Sequence, residues 1–217
     1  MSTITGHTGL TALLGSPVAH SISPLMHNEA FRLLELDYVY LCFDVNEETL
    51  PAAVAGLRTC GIRGFNLTMP NKNKIVELLD ELSPEAQLIG AVNTVLNDNG
   101  KLIGYNTDGY GFMQSVRDAG HDVTNKNITV MGVGGASMAI CAQSALDGAS
   151  SVHIFARRTS RYWNRTQKFA ENLTAKTGCQ VCLFDNDDHT ALKDSIAQSY
   201  LLINATSVGM VPDIDDT

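Results

Sequence analysis

What this 217-residue chain lacks narrows its class first. No apolar run reaches the roughly 20 residues needed to span a bilayer, and Met1 to Gly9 shows no charged-then-apolar leader pattern. No long basic run occurs and the net charge is −8, so neither a nucleic-acid surface nor a membrane partner is expected. The cysteines number five, an odd count scattered along the chain, which argues against a disulfide framework. Cys179 and Cys182 form a C-x-x-C, yet no second Cys or His pair is suitably spaced, so no metal is expected and the two are read as buried thiols. Low-complexity linkers and internal repeats are absent. What remains is 44% apolar residues, enough for a real core, in a protein expected to be soluble and cytoplasmic, and a monomer or homodimer.

The first half alternates strands and helices. Strands are expected at Thr11 to Gly15, Tyr38 to Phe43 and Arg63 to Thr68. Pro24 to Leu36 has helical spacing through Leu25, Ala30, Leu33 and Leu34. Asn46 is read as the N-cap of a helix through Leu50, Val54 and Leu57. Ser83-Pro84-Glu85 is a cap followed by proline at the first helical position. Asn97-Asp98-Asn99-Gly100, between Val92 to Leu96 and Lys101 to Gly104, is a hairpin signal. The second half has a plainer βαβ rhythm. Strands are expected at Asn127 to Met131, Ser151 to Phe155, Gln180 to Phe184 and Tyr200 to Asn204. Helices are expected at Ala136 to Leu146, Trp163 to Lys176 and His189 to Ala197. That alternation predicts a parallel sheet covered on both faces. The fold class is therefore α/β, with an N-terminal α/β domain over residues 1–107 and a doubly wound, Rossmann-like domain over 108–217. The chain stops at an acidic loop, 212–217, before a full doubly wound set of strands is reached, so it is expected to be a fragment.

Gly132-Val133-Gly134-Gly135-Ala136-Ser137 follows the first of those later strands and opens a helix. The first glycine permits a tight turn, and the second lets backbone approach a pyrophosphate. Helix N-terminal N–H groups then face the anion. Ser137 holds the third-glycine position. The second strand ends in Ala156-Arg157-Arg158-Thr159, two cations with no acid. Guanidinium groups suit a ribose 2′-phosphate, so NADP is expected, with NAD as the second possibility.

Lys72, in Asn66-Leu67-Thr68-Met69-Pro70-Asn71-Lys72, and Asp108, in Gly104-Tyr105-Asn106-Thr107-Asp108-Gly109, can serve hydride chemistry. A lysine near a cleft can give a proton to a carbonyl oxygen as hydride reaches carbon. An aspartate can orient the same hydroxyl. Lys74 is a nearby competitor. Other oxidoreductase patterns fit worse. None of the six tyrosines has lysine four residues on, as short-chain dehydrogenases require, and the ligand cluster of zinc dehydrogenases is missing.

Taken together these strings resemble the shikimate dehydrogenase family, closest to its quinate/shikimate branch, from about Thr11 to Met210. The resemblance implies roles. Ser21 and Ser23, in Ser21-Ile22-Ser23-Pro24 with His27-Asn28, would bind the substrate carboxylate, and Ser23 is at the same time read as a helix cap. The Lys72 and Asp108 segments would be catalytic. Thr68, Asn93 (in Gly90-Ala91-Val92-Asn93-Thr94), Asn106 and Thr107 would meet ring hydroxyls. Thr206, Ser207, Val208, Gly209 and Met210 would line the nicotinamide pocket. Tyr38 is a weaker candidate near the pocket. Three departures stand out: Asn71 where an aromatic or histidine is common, Ala156 and Thr159 at the adenosine ribose, and the family's C-terminal region, with its glutamine contact. The implied reaction is reversible NADP(H)-dependent reduction of 3-dehydroshikimate to shikimate. Quinate oxidation with NAD, a non-catalytic dinucleotide-binding fragment and a folate-linked dehydrogenase are the alternatives.

Overall fold

The computed structural model of the chain describes residues 4–206 and 208. It separates into two compact units, Met1–Asn106 and Thr107–Thr217.

The first unit is built on a six-stranded mixed sheet. Its elements are β1 Gly9–Gly15, α1 Ser23–Leu33, β2 Tyr38–Asp44, α2 Leu50–Thr59, β3 Gly64–Leu67, a 3₁₀ turn Lys74–Leu78, β4 Glu81–Leu82, α3 Pro84–Ile89, β5 Thr94–Asp98 and β6 Lys101–Tyr105. The strand order is β2-β1-β3-β5-β6-β4. β1 runs parallel to β2 and β3, whereas β5 is antiparallel to both β3 and β6. The hairpin between β5 and β6 turns on Asn99 and Gly100, at φ 52° and 92°, the left-handed pair that a two-residue turn matched to strand twist demands. Ala12, Leu14, Leu50, Ile62, Ile75, Val92 and Leu102 are buried together as the main core. That core explains the β1 and β5 pattern, in which alternate residues face it.

Several expectations need correction here. The α1 helix turns His27, Asn28 and Phe31 inward: His27 stacks on Tyr40 at 4.2 Å, and Asn28 bonds Tyr40 backbone on both sides. Leu25, Leu33 and Leu34, read as its apolar face, are exposed. Aromatic stacking and amide hydrogen bonds override hydropathy spacing there. The helix α2 starts at Leu50 with Thr49 as N-cap, and Asn46 instead accepts from the amides of Glu48 and Thr49 in the preceding turn. At α1, Ile22 is the N-cap and no side chain caps it; Ser23 is the first helical residue. Ser83 does cap α3, accepting from the Ala86 amide, with Pro84 following.

The second unit is a four-stranded parallel sheet. Its elements are α4 Asp108–Asp118, β7 Asn127–Met131, α5 Gly135–Leu146, β8 Ser151–Ala156, α6 Trp163–Thr177, β9 Gln180–Asp185, α7 His189–Gln198 and β10 Leu201–Asn204. The order β10-β7-β8-β9 reverses direction between β7 and β10. This is the switch point of a doubly wound sheet, where ligands bind beyond the strand C-termini. The α5 helix is nearly all apolar and small, and its residues from Ser137 to Ala142 are buried, as expected of a helix enclosed by neighbours. One neighbour is α4, which spacing alone did not reveal. A Cβ on Gly109 would sit 2.2 Å from the Ala139 carbonyl oxygen, so this glycine sets how closely α4 and α5 approach. Cys141 and Cys179 are buried, and burial pushes their thiols up to about 12 and about 11. Cys182 is exposed, contrary to its reading as a buried thiol. Among the described residues no helix is long and apolar enough to cross a membrane.

Candidate active site

In the first unit the expected residues gather past the C-terminal ends of β1 and β3 and along the neighbouring strands. β1 ends at Gly15, where a Cβ would lie 2.2 Å from Thr68 Cγ2. Glycine therefore gives Thr68 its place. Thr68 is tied by its amide to the Leu14 carbonyl, and its own carbonyl accepts from the Asn71 amide at 3.0 Å. The loop beyond it is pinned by Asn71, which is fully buried and donates through Nδ2 to the Val45 carbonyl at 2.7 Å. An asparagine thus fills the position before Lys72 with a side-chain anchor rather than a ring. The Lys72 carbonyl accepts from the Val92 amide at 2.8 Å, which fixes the lysine backbone next to the segment carrying Asn93.

Asn93 belongs to a polar chain that the sequence reading did not assemble. Tyr40 donates its hydroxyl to Asn66 Oδ1 at 2.8 Å. Asn66 Nδ2 in turn donates to Thr94 Oγ1 at 3.0 Å, and Thr94 donates to Asn93 Oδ1 at 3.0 Å. Burial raises the Tyr40 phenol above its ordinary range, so it stays a donor throughout the working pH range. Asn66 is the hub because its β3 position brings it against β5, where it pairs with Thr94. An asparagine at the centre of a buried-strand pattern was the available signal, since a mid-strand amide needs partners for both ends. Asn106 is buried and donates to the Ala91 carbonyl at 3.1 Å. Ser21 and Ser23 stand together at the start of α1, with the Ser23 amide donating to Ser21 Oγ at 3.2 Å. The Ser21 hydroxyl proton is not used in that bond. Tyr38 lies elsewhere: it packs over Gly9 at the start of the sheet, in a groove of about 530 Å³ shared with Arg58 and Arg63. Tyr40, two residues on, is the tyrosine of the polar network.

In the second unit Thr107 is the N-cap of α4 and Asp108 its first residue. A carboxylate there is favoured by the helix dipole. The dinucleotide loop is built from backbone. Gly132 has φ 107°, and a Cβ on it would meet the Ala205 carbonyl oxygen at 2.9 Å. Only glycine fits that left-handed position comfortably. Gly134 and Gly135 have open space where a Cβ would stand, which leaves the α5 N-terminus accessible to an anion. Val133 and Ala136 complete the loop beside them. Ser137 is buried and donates through Oγ to the Gly132 carbonyl at 2.6 Å, closing the turn on itself. Glycine cradle and exposed amides fit a dinucleotide pyrophosphate.

At the end of β8, Ala156 is buried and Arg157, Arg158 and Thr159 are exposed. Beyond β10, Thr206 lies beside Gly132 and donates through Oγ1 to Asn204 Oδ1 at 2.6 Å, while the Val208 amide donates to Thr206 Oγ1 at 3.2 Å. Ser207, Gly209 and Met210 fall outside the described residues. Among the described residues, no group of three or more His, Cys, Asp or Glu side chains is placed to hold a metal ion.

Comparison with known proteins follows the same division. The model of the shikimate dehydrogenase substrate binding domain matches residues 13–95. A Listeria innocua protein named shikimate dehydrogenase (NADP(+)) is 51% identical over 209 residues, 96% of this chain and 72% of the relative. The crystal structure of Listeria monocytogenes shikimate 5-dehydrogenase, in complex with shikimate and NAD, superposes with a TM-score of 0.96 at 48% identity, covering all of this chain and 75% of that one. A shikimate dehydrogenase in complex with NADP+ superposes with a TM-score of 0.85 at 40% identity, covering 72% of that chain. With half of its residues identical across most of a relative's length, and with the same fold in both units, this chain belongs to the shikimate dehydrogenase family.

Proposed function

We infer that the chain catalyses the reversible NADP(H)-dependent reduction of 3-dehydroshikimate to shikimate. The observation that carries this reading is the pairing of a polar hydroxyl-and-amide network in one unit with a glycine loop fitted to a dinucleotide in the other. Ser21 and Ser23 hold the substrate carboxylate by hydroxyl donors. Thr68, Asn93, Asn106 and Thr107 take the ring hydroxyls, with Asn93 set in orientation by the Tyr40–Asn66–Thr94 chain. When bound, NADP(H) supplies the hydride. Lys72 gives its ammonium proton to the oxygen that becomes the hydroxyl, and recovers it in the reverse direction. Asp108 is assigned to accept a hydrogen bond from that hydroxyl. Glycines 132, 134 and 135 bring backbone N–H groups to the pyrophosphate. Arg157 and Arg158 face the adenosine ribose and favour a 2′-phosphate. Thr206 and Val208 are assigned to the nicotinamide side.

Cofactor consumption tests this directly. Purified protein is given 3-dehydroshikimate with NADPH or NADH, and shikimate or quinate with NADP or NAD. The reading expects the highest kcat/KM with the shikimate pair and NADP(H). A preference for quinate with NAD would move the chain to the second branch. Tight NADPH binding without turnover of any of these acids would reduce it to a dinucleotide-binding module.

A further inference from the structure

We propose that Trp163 is a positioning residue for NADP: its indole face holds the Arg158 guanidinium ready for the ribose 2′-phosphate. The proposal rests on the NADP reading above and deepens it. Trp163 is the only tryptophan of the chain. It is the first residue of α6, and its amide donates to the Ser160 carbonyl at 3.0 Å, while the Ser160 amide donates to the Arg157 carbonyl at 2.9 Å. These two bonds fold 157–163 into a compact turn directly after β8. Within it the Arg158 guanidinium carbon lies 5.1 Å from the centre of the indole ring, inside the range of a cation–π contact.

Arg158 is the cation of this turn with both a platform and uncommitted donors. Arg161 also has a ring, Tyr162 at 4.7 Å, but donates to that tyrosine's hydroxyl at 2.6 Å. Arg157 has no aromatic contact among the described residues. No carboxylate pairs with Arg158 among the described residues, so its charge is not neutralised inside the protein. A guanidinium against an aromatic face keeps in-plane N–H donors for a forked contact with phosphate. An exposed arginine otherwise samples many rotamers, and fixing it on binding costs affinity. The indole removes part of that cost beforehand.

The test is the ratio of NADPH to NADH affinity, read by isothermal titration on the intact chain. Trp163→Leu keeps apolar bulk and removes the π face. It should weaken NADPH about three-fold and leave NADH unchanged. Trp163→Tyr should restore part of the loss. In an Arg158→Ala background, Trp163→Leu should add nothing. If the leucine variant does not fold, Trp163→Met, whose unbranched, flexible side chain adapts to the same space, carries the same expectation. An unchanged ratio in the leucine or methionine variant, or equal weakening of both cofactors, overturns the proposal while leaving NADP use intact. A wild-type chain that binds NADPH no more tightly than NADH overturns the NADP reading and this proposal together.

Discussion

The two units hold their working residues by different means. In the first, side chains do the holding. Asn28, Asn66, Asn71 and Asn106 each reach across to another segment, and all four donate to backbone carbonyls at distances of 2.7 to 3.3 Å. In the second, the loop at Gly132 is shaped by backbone, with glycines removing obstruction and Ser137 tying the turn. The difference follows from what each must recognise. A ring with several hydroxyls and a carboxylate needs donors and acceptors at set places, and only side chains supply that variety. A pyrophosphate is an anion of nearly fixed shape, which the amides of a helix N-terminus can meet.

If this contrast is right, damage to each unit should have its own kinetic signature. The largest effect among the supporting residues is expected for Asp108→Asn. It removes the charge that orients the hydroxyl, and kcat should drop by about 10²-fold or more with NADPH affinity unchanged by titration. A comparable loss of NADPH binding would assign Asp108 to the cofactor instead. Gly132→Val comes next. The side chain has no room at φ 107° against Ala205, and strain of about 1–3 kcal/mol should weaken NADPH while shikimate binding persists. Loss of both ligands together would erase the distinction between the units.

Asn28→Ala tests the side-chain scaffold. It deletes bonds to the Pro24 carbonyl and to both backbone groups of Tyr40, at about 2 kcal/mol by denaturant titration. Because Ser21 and Ser23 lie at the start of α1, KM for shikimate should rise more than kcat falls. A smaller effect is expected from pH. Burial lowers the pKa of His27 and of His153, so the unfolded chain takes up protons first as pH falls below about 6.5. Stability should therefore be full above that value and decline below it, until the folded-state pKa values are passed. In a thermal melt series from pH 7.5 to 5.5, His27→Asn should flatten part of the decline. The smallest effect is assigned to Lys74→Ala. Lys74 pairs with Glu77 on the surface, one turn along the 3₁₀ segment, and kcat should be unchanged. A large loss would name the wrong lysine in the Asn66 to Lys74 stretch.

The sequence made some of this visible and hid the rest for identifiable reasons. The βαβ series of the second unit was legible because its strands are short apolar runs and its helices are punctuated by glycine and aspartate, with Gly134 before α5, Gly178 after α6 and Asp188 before α7. The glycine loop was legible because its geometry is a property of the residue itself. The α4 helix was not, since Asp108-Gly109-Tyr110-Gly111 has two glycines where a helix starts, and close packing of Gly109 on Ala139 outweighs their low propensity. The inward face of α1 was misread because Leu25, Leu33 and Leu34 follow helical spacing while His27 and Asn28 make the stronger specific contacts. The Tyr40–Asn66–Thr94–Asn93 chain joins three strands far apart in sequence, and no local pattern announces such a network. The individual motifs named the candidate residues; strand order brought Asn66 and Thr94 together.

The most direct test of the account concerns Lys72. Steady-state kinetics of NADPH oxidation by 3-dehydroshikimate, paired with shikimate titration, are run on wild-type protein and on Lys72→Ala. Proton transfer from Lys72 predicts that kcat falls by about 10² to 10⁴ while shikimate affinity changes little. Parallel loss of affinity and turnover, or turnover that survives the substitution, would contradict it.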